Sequence, residues 1–245
     1  MKWIPRLVQG LAGLAGTVIL ALVGAGRPTN YWEGTEHDWI IWLGIGGVVV
    51  AAVLTPAVQA IDAHLKARSE AFGRKVSEVI AGVLVEIHLL PGIDITQLGI
   101  HAFEVNPRWY PIPLPKVLKR RARVRLRPST RSGPVVWKKG KGLIGYCWQT
   151  SERVDADLGT LFPDGKHLTR DGWNALPAPD RMGMKYRDYE HTSVGGVIVV
   201  QPVFLNGDFA GCISLDGPTG LTTLQESPEV MTALESASTS LARLL

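Results

Sequence analysis

Four arginines at alternate positions, Arg121, Arg123, Arg125 and Arg127, are separated by Ala122, Val124 and Leu126. Side chains alternate across a strand, so these guanidiniums form a ladder on one face. Lys116 to Lys141 holds 11 Lys and Arg and no acidic residue. Anionic lipid headgroups are the first partner for such a surface, an anionic ligand the second and nucleic acid a poor third; a solvated basic face is the plain alternative. Gly140-Lys-Gly-Leu-Ile-Gly145 matches the phosphate-binding pattern G-x-G-x-x-G. Val135-Val136-Trp137 is a poor first strand for it, however, and no strand-helix-strand succession follows, which argues against a dinucleotide fold. Cys147 and Cys212 are the chain's two cysteines. They are a redox pair only if the fold joins them, and two buried, inert thiols are the simpler expectation.

From Thr150 to Thr192 the chain is polar and turn-rich, longer than a plain connection and typical of a lid or binding loop. Trp173, Arg181, Tyr186 and Tyr189 lie there, side chains able to stack on or pair with a planar anion. Beyond it, Asn206-Gly207 is a strong hairpin signal between Val197–Leu205 and Asp208–Leu215. A two-residue turn pairs Leu205 with Asp208, Val203 with Ala210, Gln201 with Cys212 and Val199 with Ser214. Ile198, Val200, Pro202, Phe204, Phe209, Gly211, Ile213 and Leu215 then share an apolar face, and Gln201, Cys212, Ser214 and Asp216 the other. Gln201, Ser214 and Asp216 are accordingly the sheet-side ligand contacts expected, with Trp173, Arg181, Tyr186 and Tyr189 on the lid side. No metal-ligand spacing, nucleophile elbow or P-loop is present, so neither cofactor nor enzyme activity is expected.

The elements that must position these residues follow a membrane-like N-terminal region. The chain has 245 residues, net charge +4 and 46% hydrophobic residues, which excludes a disordered polyelectrolyte. Leu7–Gly26 is 20 residues without a charge and Trp39–Ile61 is 23; about 20 apolar residues of helix span a bilayer. Two transmembrane helices are expected. A cleaved signal peptide is the rival for the first, but its apolar stretch is long and a second follows closely. Lys2 and Arg6 precede the first span, and Lys66, Arg68, Arg74 and Lys75 follow the second, which places both termini on the cytoplasmic side of the inner membrane. Small residues at four-residue spacing (Ala12 and Gly16, Ala21 and Ala25, Gly47 and Ala51) permit close helix packing in lipid. Neither span contains an ionisable side chain, which argues against a transporter.

Ile61, Leu65, Phe72, Val76, Val79, Val83 and Ile87 make one helical stripe that Pro91-Gly92 terminates. Strands are expected at Ile95–Val105 and Ala122–Leu126. At the C-terminus Ser227 is a suitable N-cap, Pro228 a first helical residue, and Val230, Leu234, Ala237, Leu241 and Leu244 a seam. Such seams serve packing within one protomer or a homo-oligomer. The divisions expected are 1–61, a transmembrane hairpin; 62–92, a linking helix; and 93–245, a cytoplasmic domain.

With this order of elements, residues 70–245 resemble a GAF domain. The resemblance rests on the opening helix, the strand Leu98–Val105, the turn-helix Gly140-Lys-Gly-Leu-Ile-Gly-Tyr-Cys-Trp, the hairpin Val199–Asp216 and the closing helix. It implies an α+β fold, an antiparallel sheet of five or six strands with a ligand pocket on one face and terminal helices on the other. The Asn-Lys-Phe-Asp signature of cyclic-nucleotide-binding members is absent, so no ligand carries over. The expectation is a membrane-anchored sensor of a small molecule, a nucleotide among the candidates. One form resembles antiviral effectors whose small transmembrane proteins cluster and breach the membrane. The alternatives are a ligand-free scaffold that binds a partner protein and, less favoured, an enzyme similar to GAF-fold methionine sulfoxide reductases. The partners expected are the lipid bilayer and a small molecule, without nucleic acid.

Overall fold

The structure, a computed structural model, describes Thr17 and residues 36–106, 116–126, 135–161, 168–190 and 196–245. The first expected span, Thr17 apart, and Arg127 lie outside the described residues. The chain divides into two units, Met1–Glu70 and Ala71–Leu245. Helix α1, Glu36–His88, runs across that division with Pro56 inside it. Within the first unit Trp42, Val49, Ile61 and Leu65 are exposed. The side chains of residues 39–41, 43, 44, 50, 51, 53 and 54, part of the second expected span, also lie outside the described set. Among the described residues no helix is long and apolar enough to cross a membrane.

In the second unit, Val76, Ile80, Val83, Leu84 and Ile87 of α1 are buried in the main core. Val76, Val83 and Ile87 of the stripe expected from the sequence thus lie in this core, with Phe72 and Val79 packed against it. α1 stops before a turn in which Gly92 adopts φ +81°. Asp94 then caps a 3-10 turn, Ile95–Gln97, its Oδ1 accepting from Thr96 N at 2.9 Å and Thr96 Oγ1 at 2.7 Å. These local bonds compete with a ladder, so the strand expected from Ile95 begins at Gly99.

Five strands form one antiparallel sheet: β1 (Gly99–Asn106), β2 (Val117–Arg125), β3 (Val154–Asp157), β4 (Val197–Leu205) and β5 (Asp208–Asp216), in the order β2-β1-β5-β4-β3. The β4–β5 turn is the one expected, with positive φ at Asn206 and Gly207. Its register differs from the simple count. Leu205 pairs with Asp208 and Phe204 with Phe209, but Val203 pairs with Gly211, Gln201 with Ile213, Val200 with Ser214 and Ile198 with Asp216. Ala210 is the extra residue of a bulge, which reverses the facing of everything beyond it.

One face carries Ile100, Ala102, Val197, Val199, Val203, Ile213 and Leu215. It is covered by the end of α1 and by α7 (Pro228–Ala242), from which Val230, Leu234, Ala237 and Leu241 contribute. Ser227 caps α7, its Oγ accepting from Val230 N at 3.3 Å, with Pro228 opening the helix as expected. Ser238 Oγ donates to Pro202 O at 2.7 Å, tying α7 to β4. Truncating the fully buried Leu234 to Ala costs about 2–5 kcal/mol.

Helix α2 (Gly142–Thr150) covers β3, β4 and β5 on the other face, where Phe103, Leu118, Ile144, Cys147, Trp148, Val200 and Cys212 form a second core. Three short helices, α3 (Leu158–Leu161), α4 (Arg170–Ala175) and α5 (Tyr186–Glu190), follow β3. α6 (Thr223–Glu226) precedes α7, and Gln225 Nε2 donates to Asp155 Oδ2 of β3 at 3.0 Å.

Candidate functional site

The basic strand β2 does not form the even ladder its alternation implies. Arg125 pairs with Gly99 and Arg123 with His101, but between Ala102 and Phe103 the register shifts and Phe103 meets Arg120. On its other edge β1 pairs Gly99 with Asp216, His101 with Ser214 and Phe103 with Cys212. Directly paired residues share a face. Three rungs therefore cross the sheet: Arg125–Gly99–Asp216, Arg123–His101–Ser214 and Arg120–Phe103–Cys212. Arg121, the bulged residue, leaves the ladder. Its Nε donates to Glu104 Oε2, and its guanidinium lies 5.7 Å from the ring centroid of Phe72 on α1.

The rungs meet in one polar cluster. Asp216 Oδ1 lies 3.0 Å from His101 Nε2, and its Oδ2 pairs with Arg125. A carboxylate only accepts, so neutral His101 carries its proton on Nε2 and turns a lone pair out at Nδ1. That Nδ1 and the Nε of Arg125 are both buried without a protein partner. His101 is pushed down to about 3 by burial first, then by Arg123, Arg120 and Arg125, despite the carboxylate beside it. Burial, followed by the charge of Arg123, also lowers Arg120 and Arg125. Among the described residues neither Arg120 nor Arg123 has an ion-pair partner. Arg125 thus pairs with the carboxylate, and half-buried Arg123 and exposed Arg120 stand in the neighbouring rungs of the same face.

Gly99 makes the pairing possible. A Cβ there would stand 2.5 Å from Arg125 Nε and 2.7 Å from Asp216 Oδ1. The ion pair therefore crosses the strand where no side chain stands.

The aromatic residues of the loop build a small core of their own. Trp173 and Tyr189 are buried and stacked at 4.2 Å, and Tyr189 Oη accepts from Leu168 N at 2.9 Å. Half-buried Tyr186 lies beneath the Arg170 guanidinium at 5.6 Å. Ile198, the register partner of Asp216, also packs against this core, which puts the core on the cluster's face of the sheet. Arg181 is half-buried, its Nε buried without a partner. The glycine turn is closed on itself: Gly140 N donates to Gly145 O, Gly142 N to Met182 O and Gly145 N to Lys141 O. Those amides are not free for a phosphate.

Of the residues expected from the sequence, Ser214, Asp216, Arg123 and Arg125 come together. Trp173, Tyr186 and Tyr189 form a separate group, and Gln201 does not join either. The Ala210 bulge places Gln201 opposite Ile213, on the face covered by α7. His101 and Arg120 were not anticipated. The available signal was a histidine set between Ile100 and Ala102 in the apolar first half of the strand. Cys147 and Cys212 do share one core, as free thiols. Burial pushes Cys147 up to about 12, and Cys212 is raised well above its ordinary value by burial and then by Cys147. Thiols held protonated in this way are poor nucleophiles.

No protein-family model matches the chain, and no curated protein does. Among solved structures, the GAF domain of a two-component sensor histidine kinase from Bacillus halodurans is similar at 13% identity and TM-score 0.43, over 68% of this chain and 90% of that one. A type II free methionine-R-sulfoxide reductase from Thermoplasma acidophilum matches at 15% identity and TM-score 0.41, over 71% and 94%. The GAF domain of an Acinetobacter phosphoenolpyruvate-protein phosphotransferase matches at 12% identity and TM-score 0.37, over 68% and 90%. At these identities and scores the likenesses carry nothing about ligand or activity. The five-stranded antiparallel sheet flanked by helices is GAF-like in its own right.

Proposed function

We propose that this chain is a membrane-anchored sensor whose GAF-like domain binds a small molecule on the sheet face opposite the terminal helices. The observation that carries the reading is the cluster of His101, Asp216, Arg125 and Ser214. Apolar packing has no use for polar groups at this depth, and two of their buried atoms lack partners. Buried polar groups are normally satisfied, so a bound molecule that supplies the missing bonds accounts for them. Membrane attachment is supported by the charge-free run Trp39–Ile61 and the basic residues that flank it, which favour a two-pass inner-membrane protein with cytoplasmic termini. The output assigned to it is altered packing of the membrane helices. Membrane disruption in an antiviral response is the form that the small-residue spacing of both spans favours.

The test is a thermal unfolding screen of the full-length chain in detergent against a metabolite panel that includes linear and cyclic nucleotides. A ligand of the folded state stabilises it by about 2.7 kcal/mol at 100 times its Kd, which reads as a raised midpoint.

A scaffold that binds a protein is the second reading, favoured by the stacked Trp173 and Tyr189, which fill space beneath the loop. A panel without a stabilising member, together with a partner protein that binds the same face, would establish it instead.

A further inference from the structure

Resting on the sensor reading, we infer that the ligand is held by a phosphate group, bound across the three rungs by Arg120, Arg123 and Arg125 with His101 and Ser214 beside it. The strand pairing alone puts these residues on one face. The charge count gives the class. Asp216 answers one guanidinium, that of Arg125, and the imidazole contributes no charge near neutral pH, so among the described residues the charges of half-buried Arg123 and exposed Arg120 have no carboxylate partner. A phosphomonoester carries about −1.5 to −2 at pH 7 and matches that surplus, whereas a single carboxylate leaves half of it. Guanidiniums also fit phosphate oxygens in bidentate fashion.

The unpartnered atoms agree in detail. Arg125 Nε is a buried donor that needs an acceptor, and His101 Nδ1 a buried acceptor that needs a donor. Hydrogenphosphate, a dianion of charge about −2, offers both, with P–O oxygens for the arginines and a P–OH for the imidazole; beside a phosphomonoester dianion the donor is a neighbouring hydroxyl of the ligand. Asp216 is the positioning residue. It fixes the imidazole tautomer through Nε2 at 3.0 Å and steers the Arg125 guanidinium over Gly99.

The bulge in β2 supplies an internal control. Arg121 and Arg123 are two residues apart and carry equal charge, but Arg121 pairs with Glu104 outside the rungs. Isothermal titration of the full-length chain in detergent with inorganic phosphate, against chloride at matched ionic strength, should show saturable binding. Arg123→Gln should weaken it at least tenfold and Arg121→Gln should leave it unchanged. Equal weakening by both variants would reduce the effect to net charge and overturn the site, as would binding indifferent to either. Absence of phosphate binding, while a panel molecule still raises the unfolding midpoint, would overturn the phosphate assignment and leave the sensor standing. Failure of both would remove both. The source of the phosphate is read by repeating the titration in neutral-lipid nanodiscs with and without phosphatidic acid. Competition by the lipid supports the site with a headgroup as its occupant, and unchanged binding supports it with a soluble ligand.

Discussion

His101 on β1 and Asp216 at the end of β5 lie 115 residues apart in sequence and 3.0 Å apart in space, Nε2 to Oδ1. The same carboxylate pairs with Arg125, so one side chain orders groups from three adjacent strands. Asp216→Asn keeps the shape and removes the charge, leaving half-buried Arg125 without its carboxylate beside half-buried Arg123. The expected loss is about 1–3 kcal/mol of stability, read as a lowered thermal midpoint of the full chain. A midpoint equal to that of the wild type would contradict the pairing.

The depressed basicity of His101 gives stability a pH dependence of definite sign. The imidazole is neutral in the folded chain down to about 3, against an ordinary value of 6.5. Between those values the unfolded chain binds more protons, so stability falls as pH falls; above 6.5 the contribution is complete. The slope is at most about 1.4 kcal/mol per pH unit. Thermal midpoints at pH 7.5, 6 and 5 should decline more steeply in the wild type than in His101→Gln. Parallel declines would show that His101 titrates normally.

Gly99→Ala separates the ion pair from the charges that make it. The added Cβ meets the ends of the Arg125 and Asp216 side chains rather than backbone, so the chain should still fold. Both side chains must move aside, however, and phosphate binding should weaken as it does in Arg123→Gln. Full binding by a folded Gly99→Ala protein would place the ligand elsewhere.

Cys147 and Cys212 are fully buried and free, with thiols held protonated. In the native chain neither should react with an aromatic disulfide reagent at pH 8, and both should react after denaturation. Rapid native labelling would reopen a redox role.

The sequence was a good guide wherever one local rule decided the outcome. Ser227 and Pro228 begin α7, Asn206-Gly207 makes the hairpin turn, Pro91-Gly92 lies just past α1, and the stripe through Val76, Val83 and Ile87 is buried. It failed at two bulges. Alternation places a residue on one face only while pairing stays one to one. A single extra residue, Ala210 in β5 and Arg121 in β2, moves Gln201 away from Ser214 and exchanges Arg121 for Arg120. Whether a strand bulges depends on its partners and on the packing around it, which local periodicity does not record. The joining of His101 to Asp216 depends on β1 lying between β2 and β5, an order no short motif encodes. Trp173 and Tyr189 are residue types able to stack on a planar ligand. In the structure they stack on each other, because a long loop must bury some apolar surface of its own.

Whether the rung face of the sheet holds a small molecule is decided by native mass spectrometry of the full-length chain released from detergent, as purified and after incubation with the metabolite panel, beside Arg123→Gln. A discrete added mass is expected on the wild type and is lost from the folded variant. A folded wild-type chain with no added mass under any condition, or equal occupancy in Arg123→Gln, would contradict it.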